Sequence, residues 1–429
     1  MVRLIPVRAY HADPAKVDPS AVASPVYDVM GDAERDRYGA IPHNAAAFTS
    51  RAHGQSVDQF IADAQHRLET ALRAGAYRQD DRPSLYVYGI RYAPPSDVLE
   101  MIPAGSRRKE YLLLGVVGGL DLDGGRDREV ARHERTFADR VEERVRLTEA
   151  TGMHFAPIMA GYTMPDHEVN NQVEDALGLD RRALSLEGTQ APLVEARVDG
   201  ALHRLWRIED ATVRDAIAAR LDPVRLLILD GHHRYTASLA RRQAGKRDVP
   251  LTMVVEGRDR ALLLLPWHRV VPGDALDPER LRDRARARFP DLAVHTGLPD
   301  METALDALRE IRKEGRRGFV AVSGEAMITV RGPPSAHEGA DYELLHRFLE
   351  GDLGLDPRSF HFLRSPRGAL EKAREEGGTA FLIPGLSVEG VERTVFGEGT
   401  LMAQKSTMFL PKVAEGVVFA PADAERTPE

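Results

Sequence analysis

The sequence predicts a mixed α+β protein, with a mixed β-sheet core in the first part of the chain and a second α/β lobe after it. Apolar runs rich in β-branched and aromatic residues recur between Ser84 and Val271. Amphipathic stretches of helical period lie between them. From about Pro272 the chain settles into a regular alternation of helix-like and strand-like segments.

Taken in order, the chain opens with an extended segment and the loop VASPVYDVMGDAERDRYG, where Pro25 and Gly31 punctuate a turn before a short helix. Ser56 to Gly75 predicts an amphipathic helix, with Ser56 as N-cap, Phe60, Ile61, Ala64, Leu68, Ala71 and Leu72 on the apolar stripe, and Gly75 as its stop. SLYVYGIRY (84–92) and EYLLLGVVGGLDL (110–122) read as strands able to pair antiparallel. Arg132 to Gly152 predicts a mostly polar helix that HERT would open, with Glu142 and Arg146 four apart and Glu143 and Arg144 as a solvated ion pair. Asp210 to Leu221 is a capped helix. Leu226 to Leu229 is a short apolar strand running into a helix that ends at Gly245, and LTMVVE and ALLLLPWHRVV are two buried strands. Trp206 and Trp267 are assigned to the core. The expected division is an N-terminal lobe over 1–271, a C-terminal lobe over 272–419 and a frayed tail over 420–429.

Composition narrows the chemistry. A chain of 429 residues with 43% apolar content supports two or three domains. The absence of cysteine excludes disulfides, thiolate nucleophiles and cysteine-ligated clusters. No run of eighteen uncharged apolar residues occurs, and the start MVRLIPVRAYHADPAK lacks a secretory apolar region, so a cytoplasmic protein without a membrane partner is expected. A net charge of −8 gives no overall reason to bind nucleic acid. Only seven of the 58 basic residues are lysines, so each lysine invites inspection.

The stretch LLILDGHHRYTASL (226–239) places charged and hydrogen-bonding groups at a strand-to-helix seam. A helix that starts there leaves its first amides unpaired, with the positive end of its dipole behind them, which suits a phosphate. Gly231 permits the tight turn. Arg234 can fork onto phosphate oxygens, His232 and His233 can donate to them, and Asp230 suits magnesium or the orientation of a histidine. The simpler alternative is that Asp230 only caps the helix and the next three residues form a solvated first turn. Zinc is disfavoured because the i, i+4 histidine spacing is missing.

Two further clusters stand out. In HERT (133–136), Glu134 has the character of a general base, and His133 and Arg135 of anion-steadying neighbours. HERTF is not the zinc-peptidase HExxH, since position 137 is Phe. GTLMAQKST (399–407) approaches a phosphate loop but carries Gln404 where the second glycine belongs, so it is not one. Gln404, Lys405, Ser406 and Thr407 remain a candidate polar cluster, as do the loop residues Tyr27, Asp28 and Asn44.

SPVYDV, HNAAAF, HERT with EERVRLTEATGMHFAPIMAGY, ILDGHHRYTASL, LLPWHRVV, DYELLH and LMAQKSTMFLPKVAEGVV together resemble, in order, the domain of unknown function 1015 family. Val26, Thr236 and Ala403 depart from its usual proline, glutamate and proline. The resemblance covers nearly the whole chain. Some members are similar to free-serine kinases, and the DGHHR box looks like the phosphate-binding box of the ParB and sulfiredoxin-like superfamily, whose mixed-sheet core is the fold the resemblance implies.

The function expected on these grounds is a small-molecule kinase transferring phosphate from ATP, with Mg²⁺, to the hydroxyl of a free amino acid, L-serine first. Another donor such as ADP is possible. Glu134, Asp230 and His233 are the expected catalytic groups, with Asp230 on the metal. Gly231, His232, Arg234, Lys405, Ser406 and Thr407 are expected on phosphate. Tyr27, Asp28, Asn44, His133, Arg135 and Gln404 are expected on the substrate. The alternatives are a ParB-like nucleotide-binding regulator and a phosphohydrolase of small phosphoesters.

Overall fold

The computed structural model describes residues 3–99, 102, 107–122, 129–164, 166–273, 276–296, 301–324, 326–334, 340–397, 399, 401–403 and 405–423. Two sheets organise them. The first holds nine strands among the described residues, in the order Val194–Val198, Ala201–Arg207, Tyr86–Tyr92, Tyr111–Asp121, Leu251–Glu256, Ile158–Tyr162, Leu226–Asp230 and Val130–Arg132, with Arg3–Ile5 also paired to Tyr111–Asp121. Most neighbours are antiparallel, but Leu226–Asp230 runs parallel to Val130–Arg132 and Leu251–Glu256 parallel to Ile158–Tyr162. The fold is therefore mixed α/β, as the sequence predicts.

The two strands read as an antiparallel pair do pair so, in the register Tyr86↔Val117 to Tyr92↔Tyr111. They are almost wholly buried because both faces of the sheet are covered. Side chains alternate across a strand, so Tyr86, Tyr88 and Ile90 enter one core while Leu85, Val87, Leu114 and Val116 enter the other. The predicted helix at Ser56 is Val57–Arg73, with Ser56 Oγ accepting from the Gln59 amide and Phe60, Ala64, Leu68 and Ala71 buried.

The second sheet orders Leu292–Thr296, Ala326–Pro334, Arg316–Ser323, Thr379–Leu382, His268–Val271 and His361–Leu363. ALLLLPWHRVV divides at Trp267 into two strands that join different sheets. Leu263–Pro266 pairs with Thr407–Leu410, and His268–Val271 joins the second sheet.

The end of the chain also returns to the first body. Ala414–Glu415 pairs with Ser24–Pro25, and Ala420–Pro421 with Met153–His154. The Ala422 amide donates to Gly152 O, and Ala422 O accepts from Val249. Residues 420–423 are therefore docked by backbone pairing instead of frayed, while 424–429 lie outside the described residues.

Trp206 belongs to the core, as expected. It is fully buried on Ala201–Arg207, and its indole N–H donates to Gln190 O at 3.1 Å. Trp206→Ala removes a large buried ring, and is expected to cost about 3–5 kcal/mol of stability in urea unfolding.

Candidate active site

Parallel strands release the chain at the same end of a sheet. Val130, Ala131 and Arg132 register with Leu226, Leu227 and Ile228, so HERT and DGHHR emerge side by side. A register shift between Ile228 and Asp230 against Ile158–Tyr162 turns the end of that strand, a device that re-aims side chains. Gly231 follows with φ +86°, and a Cβ there would stand 2.8 Å from Arg234 Nη2. Only glycine suits both demands. The helix His232–Gln243 starts at once and, having no side-chain cap, keeps its first amides available.

HERT is not the start of a helix. The helix is Ala138–Thr151, and Glu134 instead forms a parallel bridge with Met402. Met402 N donates to His133 O at 2.7 Å, and Arg135 N donates to Met402 O at 3.2 Å. Pairing with a distant segment has overridden the local helical pattern. Glu134 Oε1 then accepts from Ser406 N at 2.9 Å, Thr407 N at 2.7 Å and Thr407 Oγ1 at 2.9 Å.

His133 Nε2 and Thr407 Oγ1 share a hydrogen bond at 2.6 Å, and His133 Nδ1 lies 3.3 Å from His232 Nε2. The His133 ring also meets the Ile228 backbone. The result is a hydrogen-bonded chain that links His232, His133, Thr407 and Glu134. Burial, against the raising pull of Glu134, holds His133 below the usual imidazole range, and burial together with His133 lowers His232 further. Burial thus favours the uncharged form of both rings. His233 is also lowered, chiefly by burial; its Nε2 accepts from the Phe137 amide at 3.2 Å, leaving Nδ1–H as its donor.

Asp230 is gripped from both sides. One oxygen bonds Lys412 Nζ, and the other meets Arg234 Nη2 at 3.2 Å. Arg234 Nη1 also donates to the carbonyls of Ala156 and Pro157, both at 2.9 Å. These contacts correct two expectations. Arg234 is a brace between strand, helix and loop instead of a phosphate fork, and Asp230, already neutralised by two cations, does not fit a magnesium ligand. Among the described residues, no group of three His, Asp or Glu side chains could hold a metal.

A cavity of about 420 Å³ opens over this assembly. One wall is Asp230, Gly231, His232, His233, Glu134, Arg135 and Phe137, and another is Lys405, Thr407 and Lys412. Asp28 and Val29 stand at one edge, and Trp267, Phe362, Arg364 and Ser365 come from or beside the second sheet. Lys405 adopts φ +55° and sets Nζ 5.6 Å from the Trp267 ring centroid. Among the described residues, neither Lys405 nor Arg135 makes an ion pair. Asp28 makes none either, and its side chain reaches solvent at the mouth of the cavity. Crowding by protein opposes its ionisation, but the charges of Lys405, Lys412, Arg234 and His233 prevail and hold the carboxyl below the usual range.

The model of the family described as "Protein of unknown function (DUF1015)" matches residues 4–347. The chain belongs to this family. The match ends before the Lys405 to Lys412 segment that completes the cavity. No curated protein sequence matches the chain.

Solved structures similar to this family member include a free serine kinase variant in complex with AMP, 14% identical over 70% of this chain and 91% of that one, with a TM-score of 0.39. A conserved hypothetical protein from Pyrococcus furiosus is 14% identical over 70% and 93%, with a TM-score of 0.36. SbnI with a C-terminal truncation, from Staphylococcus aureus, is 13% identical over 72% and 85%, with a TM-score of 0.35. At these scores the likeness carries no residue-level correspondence.

Of the residues singled out from sequence, the cavity gathers Asp28, Glu134, Arg135, Asp230, Gly231, His232, His233, Lys405 and Thr407. His133 lies behind it as part of the hydrogen-bond chain. Ser406 is buried with its hydroxyl on Ala403 O, so it contributes its amide to Glu134 and nothing to the cavity. Asn44 is fully buried and away from the cavity; its amide donates to Ala21 O and Ala23 O, and its oxygen accepts from Ala46 N. Gln404 lies outside the described residues.

The sequence reading missed Lys412, although its rarity as a lysine and its place in the QKST stretch were available signals. It also sent Trp267 to the core, whereas the ring is half-buried and lines the cavity, fixed by an N–H donated to Thr407 O at 2.9 Å. Glu143 and Arg144 form a buried pair at 2.5 Å instead of a solvated one.

Tyr27 faces away from this cavity, under the Arg144 guanidinium at 4.1 Å, and burial pushes its phenol up to about 12. Beside it Glu415 is buried, bonded to Thr49 Oγ1 and the Tyr27 amide. Burial raises its carboxyl to about 7 although Thr49, Arg234 and Arg144 pull it down. A raised folded-state value stabilises the fold below the ordinary value of 4.5 and is lost as pH climbs through about 7. Wild type is therefore expected to lose about 3 kcal/mol between pH 4.5 and 8 through this group. Glu415→Gln should flatten that part of a urea-unfolding pH profile.

Proposed function

We propose that this protein is a small-molecule kinase that moves a phosphoryl group from a nucleotide to the hydroxyl of a free amino acid, L-serine first. The observation that carries the reading is one cavity in which unpaired cations, the first amides of a helix and carboxylates face each other. Phosphoryl transfer demands little covalent chemistry from a protein; it demands positioning and neutralisation of charge. ATP as donor and serine as acceptor rest on the resemblance to free-serine kinases, and a cytoplasmic setting goes with an ATP-dependent reaction.

In this reading the amides at Gly231 and His232, the Nδ1–H of His233 and the ammonium groups of Lys405 and Lys412 hold the phosphates. Asp230 keeps Lys412 charged and fixed in place. Glu134 acts as a clamp, because one of its oxygens is already saturated by the 406–407 turn. Asp28 is the carboxylate with no ion pair, ionised at neutral pH and set at the mouth of the cavity, so it is the better acceptor for the hydroxyl proton. No step is routed through magnesium, since the aspartate expected to bind it does not fit that role.

The test is incubation with ATP, Mg²⁺ and pooled amino acids, with nucleotide and amino-acid products followed by mass. Serine-dependent ADP and O-phosphoserine are expected. Nucleotide binding without a phosphorylated product would replace the kinase with a regulator, and phosphate release from phosphoserine without nucleotide would replace it with a hydrolase. Asp28→Asn is expected to lower turnover about 10²- to 10⁴-fold with little change in melting temperature. Glu134→Gln is expected to lower both, because the clamp loses its charge. Near-normal turnover in Asp28→Asn would return the role of base to Glu134.

A further inference from the structure

Trp267 is held at every polar group it has. Its amide donates to Tyr342 Oη at 3.0 Å, its indole N–H donates to Thr407 O at 2.9 Å, and its carbonyl accepts from Arg269 Nη1. The half-buried ring that these bonds fix lines the cavity over DGHHR. Phe362, also half-buried, lines the same cavity and stands directly opposite Arg269 in the pairing of His268–Val271 with His361–Leu363.

Arg269 ties the two together. Its guanidinium lies 5.1 Å from the Phe362 ring centroid and 4.6 Å from that of Tyr342, and it donates to His346 Nε2 at 3.1 Å. The side chain is fully buried, yet burial brings it down only to about 10, so it keeps its charge at neutral pH. A charge taken wholly out of water is costly. Here it holds two aromatic residues at a cavity wall, Trp267 through its carbonyl and Phe362 through the ring face.

The chemistry of the rings decides what such a wall recognises. An aromatic face carries the negative part of a quadrupole, so it gains little from a carboxylate or a phosphate and much from a flat heteroaromatic ring stacked against it. Serine has no flat surface to offer, but the base of a nucleotide has. The wall is also joined to the groups assigned to phosphate. Thr407, whose carbonyl holds the Trp267 indole, bonds Glu134 through its amide and hydroxyl, and Lys405 sets Nζ 5.6 Å from the Trp267 ring centroid while lining the cavity.

We propose that Trp267 and Phe362 form the wall on which the base of the donor nucleotide stacks, with its phosphates directed past Lys405 to the DGHHR helix start. This assignment rests on the kinase reading and covers the part of the donor that the phosphate-binding groups leave unrecognised.

Calorimetric titration of the full chain with ATP and with inorganic tripolyphosphate, which has the phosphates without the base, tests it. The Phe362 side chain makes no hydrogen bond, so Phe362→Leu is expected to weaken ATP at least fivefold and tripolyphosphate less than twofold. Trp267→Leu and Trp267→Phe both lose the bond to Thr407, but only the first loses the aromatic ring. Trp267→Leu should therefore bind ATP at least fivefold more weakly than Trp267→Phe. Trp206 is fully buried elsewhere, so ATP should quench wild-type tryptophan fluorescence more than tripolyphosphate does. Equal weakening of both ligands, or ATP affinity unchanged in both leucine variants, would overturn the proposal, as would a wild type that binds tripolyphosphate as tightly as ATP. Serine-dependent ADP formation in the same wild-type preparation decides the kinase reading separately: if it persists in those cases, the stacking wall falls and the kinase stands.

Discussion

Three hydrogen bonds to a single oxygen of Glu134 hold two distant segments of the chain together at the cavity. They come from a turn about 270 residues downstream, and the backbone bridge to Met402 carries the same join. Closing so long a loop has an entropic cost that grows slowly with length, and hydrogen bonds to an ionised acceptor, about 1.5–3 kcal/mol each, are strong enough to offset it. The join adds to the strand pairing of Thr407–Leu410 and the Lys412 contact with Asp230 in setting this segment against DGHHR.

Around that join the polar groups are preorganised. Asp230 lies between two cations, so Lys412 is charged and immobile beside the cavity. The histidines behind it are buried and linked to Glu134 through Thr407. Such a site presents fixed dipoles to an incoming anion without having to reorganise, which is how proteins favour charged transition states. Arg234 serves the same end indirectly: by holding the carbonyls of Ala156 and Pro157 it fixes the strand end from which Gly231 turns.

The two sheets divide the task. The first supplies the helix start and the clamp, and a loop beside it supplies Asp28, whereas Trp267, Phe362, Arg364 and Ser365 close the cavity from the second sheet and its approach. Arg364 pairs with Asp97 at 3.3 Å, and both residues line the cavity.

Local pattern was enough to read much of this molecule. The antiparallel pair at Tyr86 and Tyr111, the capped helix after Ser56 and the strand-to-helix seam at Gly231 depend on periodicity, capping and a positive φ, which are properties of neighbouring residues. DGHHR, HERT and QKST were recognisable as polar clusters for the same reason. Which partner each side chain takes was not legible. Arg234 looked free for phosphate and Asp230 for metal because their true partners, Pro157 and Lys412, lie far off in sequence. Asn44 looked like a loop residue open to substrate, yet it is tied to the Ala21 and Ala23 carbonyls. HERT read as a helix until Met402 paired with it, and Trp267 read as core until the cavity formed beside it. The sequence alone determined which segments could be strands, helices and donors. Only the tertiary structure decided which charges would be neutralised and which left facing the cavity, because that depends on distances between segments and not on their order.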